Sequence, residues 1–282
     1  DTVGGMSLGE RGIYNAAYEA LLFDVATVPF PAAGAERQAL DTLEALCADK
    51  ANKPAAFIAE PLVLGAGGML TYSPQVLKEM ARICAAHDVY FIADEVMTGW
   101  GRTGTLFACE QAGVTPDIMC VSKGITGGSM PLAATLCRGE IFEAHFSQDR
   151  AKTFFHSSSY TANPIACAAA LANLGVWRKE PVRERIAGLA ASHQAHLARL
   201  EQDPRFTNIR QTGTIAAMDL VVSDAGYLAE VGPKLYRFFM DKGLLIRPLG
   251  NTVYLMPPYC IGEDDLAALY AAIEEAADLV AG

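Results

Sequence analysis

The feature that most restricts the fold of this chain is a series of short, continuously apolar segments. They occupy residues 89–93, 117–121 and 131–137. Such strands are typical of a sheet whose two faces are both covered by helices. Ahead of the first one, Ser73 and Pro74 provide a helix start signal, and apolar residues recur at helical spacing to about Ala86. This alternation predicts an α/β fold with a mostly parallel sheet and with ligands at the strand ends.

The pattern changes after Asn163 and Pro164, where long helices and short strands follow. Upstream of that point the sequence also predicts a helix over 36–48 and a strand over 55–62. Downstream it predicts helices at 164–178, 182–202, 227–242 and 263–280, and strands near 207–211, 214–221, 244–247 and 252–256. We therefore expect a large domain at 1–172 and a smaller α+β C-terminal domain at 173–282.

The composition disfavours several kinds of partner. The chain has 282 residues, of which 51% are apolar and 19% charged, with a formal net charge of −10. These values are ordinary for a packed enzyme, and the negative charge disfavours nucleic acid and anionic membranes. No apolar run approaches the roughly 18 residues that span a membrane, and no export signal is visible. Seven scattered cysteines and five histidines show no metal-ligand spacing, which predicts reduced thiols in a cytoplasmic protein without a metal.

Two charged residues stand at the ends of neighbouring predicted strands. Lys123 follows the segment 117–121, and Asp94 follows the segment 89–93. Pyridoxal phosphate (PLP) needs these two groups, because a lysine holds its aldehyde and an aspartate keeps its ring nitrogen protonated. Taken singly, each residue is more typical of a solvated strand end or the start of a loop.

A long signature surrounds both residues and connects them to a known family. It consists of FIADEVMTGWGRTG at 91–104, PDI at 116–118 and SKG at 122–124. This pattern resembles the class III aminotransferases, and the likeness covers nearly the whole chain. The resemblance implies the PLP-dependent transferase fold of type I, with a mostly parallel large domain of the seven-stranded type. It also implies a shared active site in a homodimer.

Further segments resemble the branch of this family that works in biotin synthesis. They include EPLVLGAGGM at 60–69, LFACE at 106–110, NPIACAAA at 163–170 and the stretch from Ile246 to Tyr259. The likeness implies transfer of an amino group from S-adenosylmethionine to 7-keto-8-aminopelargonic acid. Lysine remains open as the amino donor in place of S-adenosylmethionine.

The resemblance assigns roles to individual residues. Lys123 would be the catalytic lysine that binds PLP and carries protons, and Asp94 would pair with the ring nitrogen. Val96 would pack against the ring, and Glu60 would lie near the cofactor. The segment 156–164 resembles one that reaches the partner subunit's phosphate, with Ser159 at the matching position; a plain helix cap is the other interpretation.

Four residues are implied in substrate binding. Arg247 would hold the carboxylate of the keto acid, with an exposed strand-end arginine as the alternative. Tyr254 would line the pocket, and Arg102 with Asp1 would form a pair that adjusts binding of the two substrates. A separate set of aromatic residues is expected to serve core or interface packing alone: Trp100, Phe107, Trp177, Tyr236, Phe238 and Phe239.

Other functions remain open on the same residues. Another ω-amino-acid transaminase or an aminomutase is one alternative, although residues 64–68 lack the acid that many glutamate-using relatives carry there. A non-catalytic scaffold that retains the PLP fold is the other. The family's phosphate loop and its ring-stacking aromatic residue have no match in the chain, so we expect it to be part of a longer polypeptide.

Overall fold

The computed structural model describes residues 2–156, 158–223, 225–226 and 228–281. Its helices are α1 (Val3–Leu8), α2 (Glu36–Ala48), α3 (Pro74–Ala86), α4 (Cys109–Ala112), α5 (Gly139–Glu143), α6 (Pro164–Lys179), α7 (Val182–Leu200), α8 (Val231–Asp241) and α9 (Glu263–Ala281). Its strands are β1 (Ala56–Ala59), β2 (Val63–Leu64), β3 (Leu70–Thr71), β4 (Tyr90–Asp94), β5 (Ile118–Val121), β6 (Ala134–Cys137), β7 (Phe206–Thr212), β8 (Ile215–Leu220) and β9 (Thr252–Leu255). Short 3₁₀ helices cover Ala16–Leu21, Lys123–Thr126 and Arg150–Lys152.

The central sheet has the order β1-β4-β5-β6 among the described strands. β4 pairs in parallel with both β1 and β5, so the predicted mostly parallel sheet is confirmed. β6 departs from the prediction, because it runs antiparallel to β5 and all four of its residues are exposed. A strand at the edge of a sheet can be apolar without being covered on both faces within its own chain.

Helix α3 follows the sequence prediction closely. The hydroxyl of Ser73 accepts the backbone N–H of Val76 at 3.4 Å, and Pro74 occupies the first turn. The predicted apolar face is buried: Val76, Leu77, Met80, Ile83 and Cys84 all lie in the core of the large lobe. α2 has the predicted bounds and packs beside α3. Together these helices cover the sheet on the side of that core.

The C-terminal lobe contains the antiparallel sheet β7-β8-β9. The predicted strand at 244–247 is wrong, since this segment forms a turn in which the N–H of Ile246 bonds the carbonyl of Leu244. Pro248 directly follows and has no N–H to continue a ladder. The lobe's own core lies between this sheet and the helices, with Phe239, Ile273 and Tyr270 almost fully buried.

Tight contacts join the two lobes. Ile215 and Ala217 of β8 belong to the core of the large lobe. The guanidinium of Arg210 bonds the carbonyls of Gly68 and Met69. The proposed domain boundary between residues 172 and 173 falls within α6 and stays a prediction. Across the described ranges, no helix has the length and apolarity required to cross a membrane.

Candidate active site

The ends of β4 and β5 bring Asp94 and Lys123 to one edge of the central sheet. The strands are parallel, and Asp94 is in register with Cys120, shortly before Lys123. Lys123 opens a 3₁₀ helix and has a left-handed φ of +45°. It is exposed, and its side-chain amine has no hydrogen bond or ion pair with any other described residue. Its amine is therefore available to a ligand at this edge.

A second carboxylate, Glu60, stands beside this pair. It follows β1, and its Oε2 accepts the backbone N–H of Gly65 at 3.1 Å. Burial is the largest effect on Glu60 and raises the pKa of its carboxyl. The negative charge of Asp94 also raises this pKa, whereas the Gly65 bond and the positive charge of Lys123 lower it. Glu60, Asp94 and Lys123 thus lie within electrostatic range of one another.

Asp94 itself is fixed by the chain that follows it. Its Oδ1 accepts the backbone N–H of Val96 at 3.1 Å, and both residues are half-buried. This is a local turn, of the kind in which an aspartate bonds the backbone two residues on. The second carboxylate oxygen has no protein donor within the described residues, so it can still accept from a ligand.

The buried Glu95 was not singled out from the sequence. Its Oε2 accepts the hydroxyl of Thr98 at 2.6 Å, and its Oε1 accepts the backbone N–H of Cys109 at 2.9 Å. Among the described residues no cation pairs with it, so these two donors satisfy its carboxyl oxygens. Glu95 thereby ties the loop after β4 to the start of α4. Nothing in the local sequence around Glu95 predicts this anchoring role.

The turn that carries Lys123 contacts two residues that no sequence pattern assigns to the site, Asn173 and Trp100. The amide of Asn173 donates to the carbonyls of Gly124 at 2.8 Å and Ile125 at 3.1 Å. Trp100 packs closely against the same turn, since a Cβ added at Gly124 would lie 2.6 Å from the Cβ of Trp100. Contacts between residues so distant in sequence leave no local signal.

Arg102 is engaged by the C-terminal lobe. Its guanidinium donates to the carbonyl of Pro257 at 2.6 Å and lies 4.8 Å from the ring centroid of Tyr259. The hydroxyl of Tyr259 in turn donates to the carbonyl of Trp100 at 2.7 Å. These contacts give Arg102 a structural role, and its contact with substrate stays a prediction. Its proposed partner, Asp1, lies outside the described residues.

Arg247 and Tyr254 occupy different surroundings. Tyr254 lies in β9 opposite Ala217 and packs, half-buried, against the core of the large lobe. Arg247 is exposed and makes no hydrogen bond or ion pair with another described residue. No hydrogen bond or ion pair joins either residue to Lys123 or Asp94 within the described ranges. Their assignment to the substrate site stays a prediction.

The segment around Ser159 is exposed and rich in aromatic residues. Phe154, Phe155 and Tyr160 expose 66%, 84% and 80% of their surface. Ser159 is also exposed, and no hydrogen bond to another described residue involves it. Clustered apolar exposure of this kind is typical of surfaces that contact another molecule.

Comparison with known proteins places this geometry in a family. The model of the family Aminotransferase class-III matches residues 1–277. The chain belongs to the class III aminotransferase family. The predicted family and the type I fold are thereby confirmed, and class III aminotransferases are PLP-dependent.

Relatives within the class III family include aminotransferases with different names. The adenosylmethionine-8-amino-7-oxononanoate aminotransferase of Synechococcus elongatus is 44% identical, over 99% of this chain and 66% of that protein. The crystal structure of the protein of that name from Methanocaldococcus jannaschii has a TM-score of 0.91 at 33% identity, over 99% of this chain and 66% of that one. An omega-aminotransferase from Paracoccus denitrificans has a TM-score of 0.87 at 26% identity, over 99% of this chain and 66% of that one. The chain spans just under two thirds of the length of each of these three proteins.

The described residues fit the cofactor of the class III family. PLP requires an amine for its aldehyde and a carboxylate for its ring nitrogen. Lys123 provides the amine and Asp94 the carboxylate, at the ends of adjacent strands. No ion pair joins these two described residues, so both groups are available to the cofactor. Gly65 lies close to Met97, since a Cβ added at Gly65 would lie 2.5 Å from the sulfur of Met97.

Proposed function

We propose that this protein is a PLP-dependent aminotransferase of biotin synthesis. It transfers an amino group from S-adenosylmethionine to 7-keto-8-aminopelargonic acid and so produces 7,8-diaminopelargonic acid. The observation that carries the proposal is the meeting of Lys123 and Asp94 at adjacent parallel strand ends. The 44% identity to an adenosylmethionine-8-amino-7-oxononanoate aminotransferase supports the choice of reaction.

The residues around the sheet edge divide the work. Bound PLP supplies an electron sink that weakens the bonds at the amino-bearing carbon of the substrate. The amine of Lys123 holds the cofactor in the resting protein and moves protons to and from that carbon. Asp94 keeps the ring nitrogen protonated, because adjacent opposite charges favour the charged forms of both. Val96 packs against the ring, and Glu60 lies next to the charged pair.

Substrate recognition falls to residues nearer the C-terminal lobe. Arg247 binds the carboxylate of the keto acid, since its exposed and unpaired guanidinium offers the donor geometry that a carboxylate matches. Tyr254 lines the pocket beside it. Arg102 and Asp1 adjust the site for the two unlike substrates.

A second copy of the protein completes the site. Ser159 reaches the phosphate of the cofactor in the partner subunit, and the exposed Phe154, Phe155 and Tyr160 contact that subunit. The functional unit is therefore a homodimer. We also propose that it works in the cytoplasm. Sedimentation of the full-length protein should show a dimer, and a monomer that retains full activity would contradict this assembly.

The catalytic proposal is tested with Lys123→Ala in the full-length protein. Wild-type protein mixed with PLP should gain the visible band of lysine-bound cofactor, and borohydride should fix the cofactor on the peptide containing Lys123. The variant should lose both signals, whereas the control Lys78→Ala, on exposed α3 surface, should keep them. Cofactor trapped on another lysine in Lys123→Ala would refute the assignment, and wild-type protein without any band would indicate a scaffold.

The substrate assignment is tested with Arg247→Ala. Loss of a charge-assisted carboxylate contact should raise the KM for 7-keto-8-aminopelargonic acid at least about tenfold and leave the donor KM nearly unchanged. The surface variant Arg37→Ala provides the control. An equal effect on both substrates would contradict the role of Arg247. If the protein transfers an amino group only from lysine or from ω-amino acids, S-adenosylmethionine is not its donor.

A further inference from the structure

The turn that carries Lys123 has a backbone conformation that needs outside support. Lys123 has a φ of +45°, in the region that favours glycine. A residue with a side chain remains there only when its surroundings fix it. The turn is a single 3₁₀ helix, Lys123–Thr126, and short 3₁₀ segments have poor hydrogen-bond geometry. Its own bonds are therefore weak restraints.

Asn173 supplies one outside restraint. It lies well inside α6, and its Nδ2 donates to two successive carbonyls of the turn, Gly124 at 2.8 Å and Ile125 at 3.1 Å. α6 is itself fixed at its start, where the side chain of Asn163 accepts the N–H of Ile165 at 3.0 Å. A single amide thus ties the lysine turn to a long, capped helix.

Trp100 supplies a second restraint. Its side chain fills the space beside Gly124, and its own backbone has a φ of +61°. The hydroxyl of Tyr259 holds the carbonyl of Trp100 at 2.7 Å. The indole thus contacts the turn, and the Asn173 amide bonds two of its carbonyls. Apolar contact resists compression, whereas the amide ties the carbonyls of Gly124 and Ile125 to α6.

We propose that Asn173 is a positioning residue for Lys123. By holding the carbonyls after Lys123, its amide keeps the strained backbone from which the lysine amine reaches the cofactor. Without these two bonds the turn relaxes, and the amine is less often in position to bind PLP. The inference rests on the proposed role of Lys123 as the PLP lysine.

The test uses Asn173→Leu in the full-length protein, because leucine has a similar size and cannot donate. Apo-protein is mixed with PLP, and the rate constant for the visible band of lysine-bound cofactor is measured together with the pH midpoint of that band. We expect capture to slow about tenfold, the size of effect that loss of a buried donor produces, and the pH midpoint to shift. Asn173→Asp, which is closer in shape, should slow capture as well, because its oxygens face two carbonyl oxygens.

The control is Asn251→Leu. Asn251 is buried, its Nδ2 donates to the carbonyl of Leu220 at 3.0 Å, and its Oδ1 accepts the N–H of Gly226 at 2.9 Å. Its loss should lower the urea midpoint of unfolding but leave the capture rate and the pH midpoint unchanged. Equal slowing in both asparagine variants would reduce Asn173 to a general structural role and overturn the inference.

The two proposals fail in different ways. If Lys123→Ala still forms the band, the proposed function is wrong whatever Asn173 does. If Lys123→Ala loses the band while both Asn173 variants capture PLP at the wild-type rate, the proposed function stands and only the positioning role is refuted.

Discussion

Gly124 shows how a missing side chain shapes the site at the scale of single residues. Its φ is not left-handed, so glycine is not needed there for backbone freedom. It is needed for space, because an added Cβ would come within 2.6–2.7 Å of three atoms of Trp100. Since Trp100 has its own strained backbone and its carbonyl is held by Tyr259, the indole has little room to move aside.

We therefore expect Gly124→Ala to lower the free energy of unfolding by about 1–3 kcal/mol, as overpacking does. Gly188 is the matched control, since it lies in α7 with nothing within 4 Å of an added Cβ. Gly188→Ala should instead raise the free energy of unfolding by roughly 0.5–1 kcal/mol through better helix propensity. Urea unfolding measures both, and a stabilised Gly124→Ala would contradict the close packing against Trp100.

The start of α3 illustrates how an element is fixed locally. Ser73 is extended and caps the N–H of Val76, while Pro74 has the φ that the first helical turn requires. The helix then buries five residues in the core of the large lobe and packs against β4. Loss of the hydrogen bond between Ser73 and Val76 therefore lowers the stability of the whole large lobe.

Ser73→Ala should lower the free energy of unfolding by about 1 kcal/mol, because the cap is lost. Ser73→Asp should retain stability, since a carboxylate both accepts the N–H and interacts favourably with the positive end of the helix dipole. Thermal and urea unfolding provide the measurement. If the aspartate variant loses as much stability as the alanine variant, the cap does not stabilise α3.

At the scale of the whole molecule, stability is linked to pH through the core of the C-terminal lobe. His193 is fully buried between α7 and α9, and its Nδ1 bonds the hydroxyl of Tyr270 at 2.7 Å. Burial is the main effect and lowers the pKa of His193 from 6.5 to about 4, with a further decrease from neighbouring His196. The imidazole is thus neutral in the folded protein at neutral pH.

The sign of the pH effect follows from this lowered pKa. Between pH 6.5 and 4 the unfolded chain binds the proton and the folded protein does not, so the free energy of unfolding falls as the pH decreases through that window. The loss from this group should approach about 3 kcal/mol near pH 4. Urea unfolding of wild type and His193→Gln at pH 7 and pH 4.5 measures it, with exposed His145→Gln as the control. A pH slope that persists unchanged in His193→Gln would assign it to other groups.

The sequence by itself determined the features that depend on near neighbours. The bounds of α2, the cap and apolar face of α3, and the apolar strands before Asp94 and Lys123 all follow from patterns a few residues long. Because parallel neighbouring strands end at one sheet edge, those patterns were also enough to predict that Asp94 and Lys123 could converge there. The family signature added the cofactor.

Only the tertiary structure decided which distant side chains support the site. The direction of β6, the absent strand at 244–247, and the contacts made by Glu95 and Asn173 depend on how whole elements pack. Arg102 is the clearest case, because the carbonyl that engages it lies 155 positions along the chain. Local propensity acts over one or two turns, whereas such bonds form only after packing has brought remote backbone within about 3 Å.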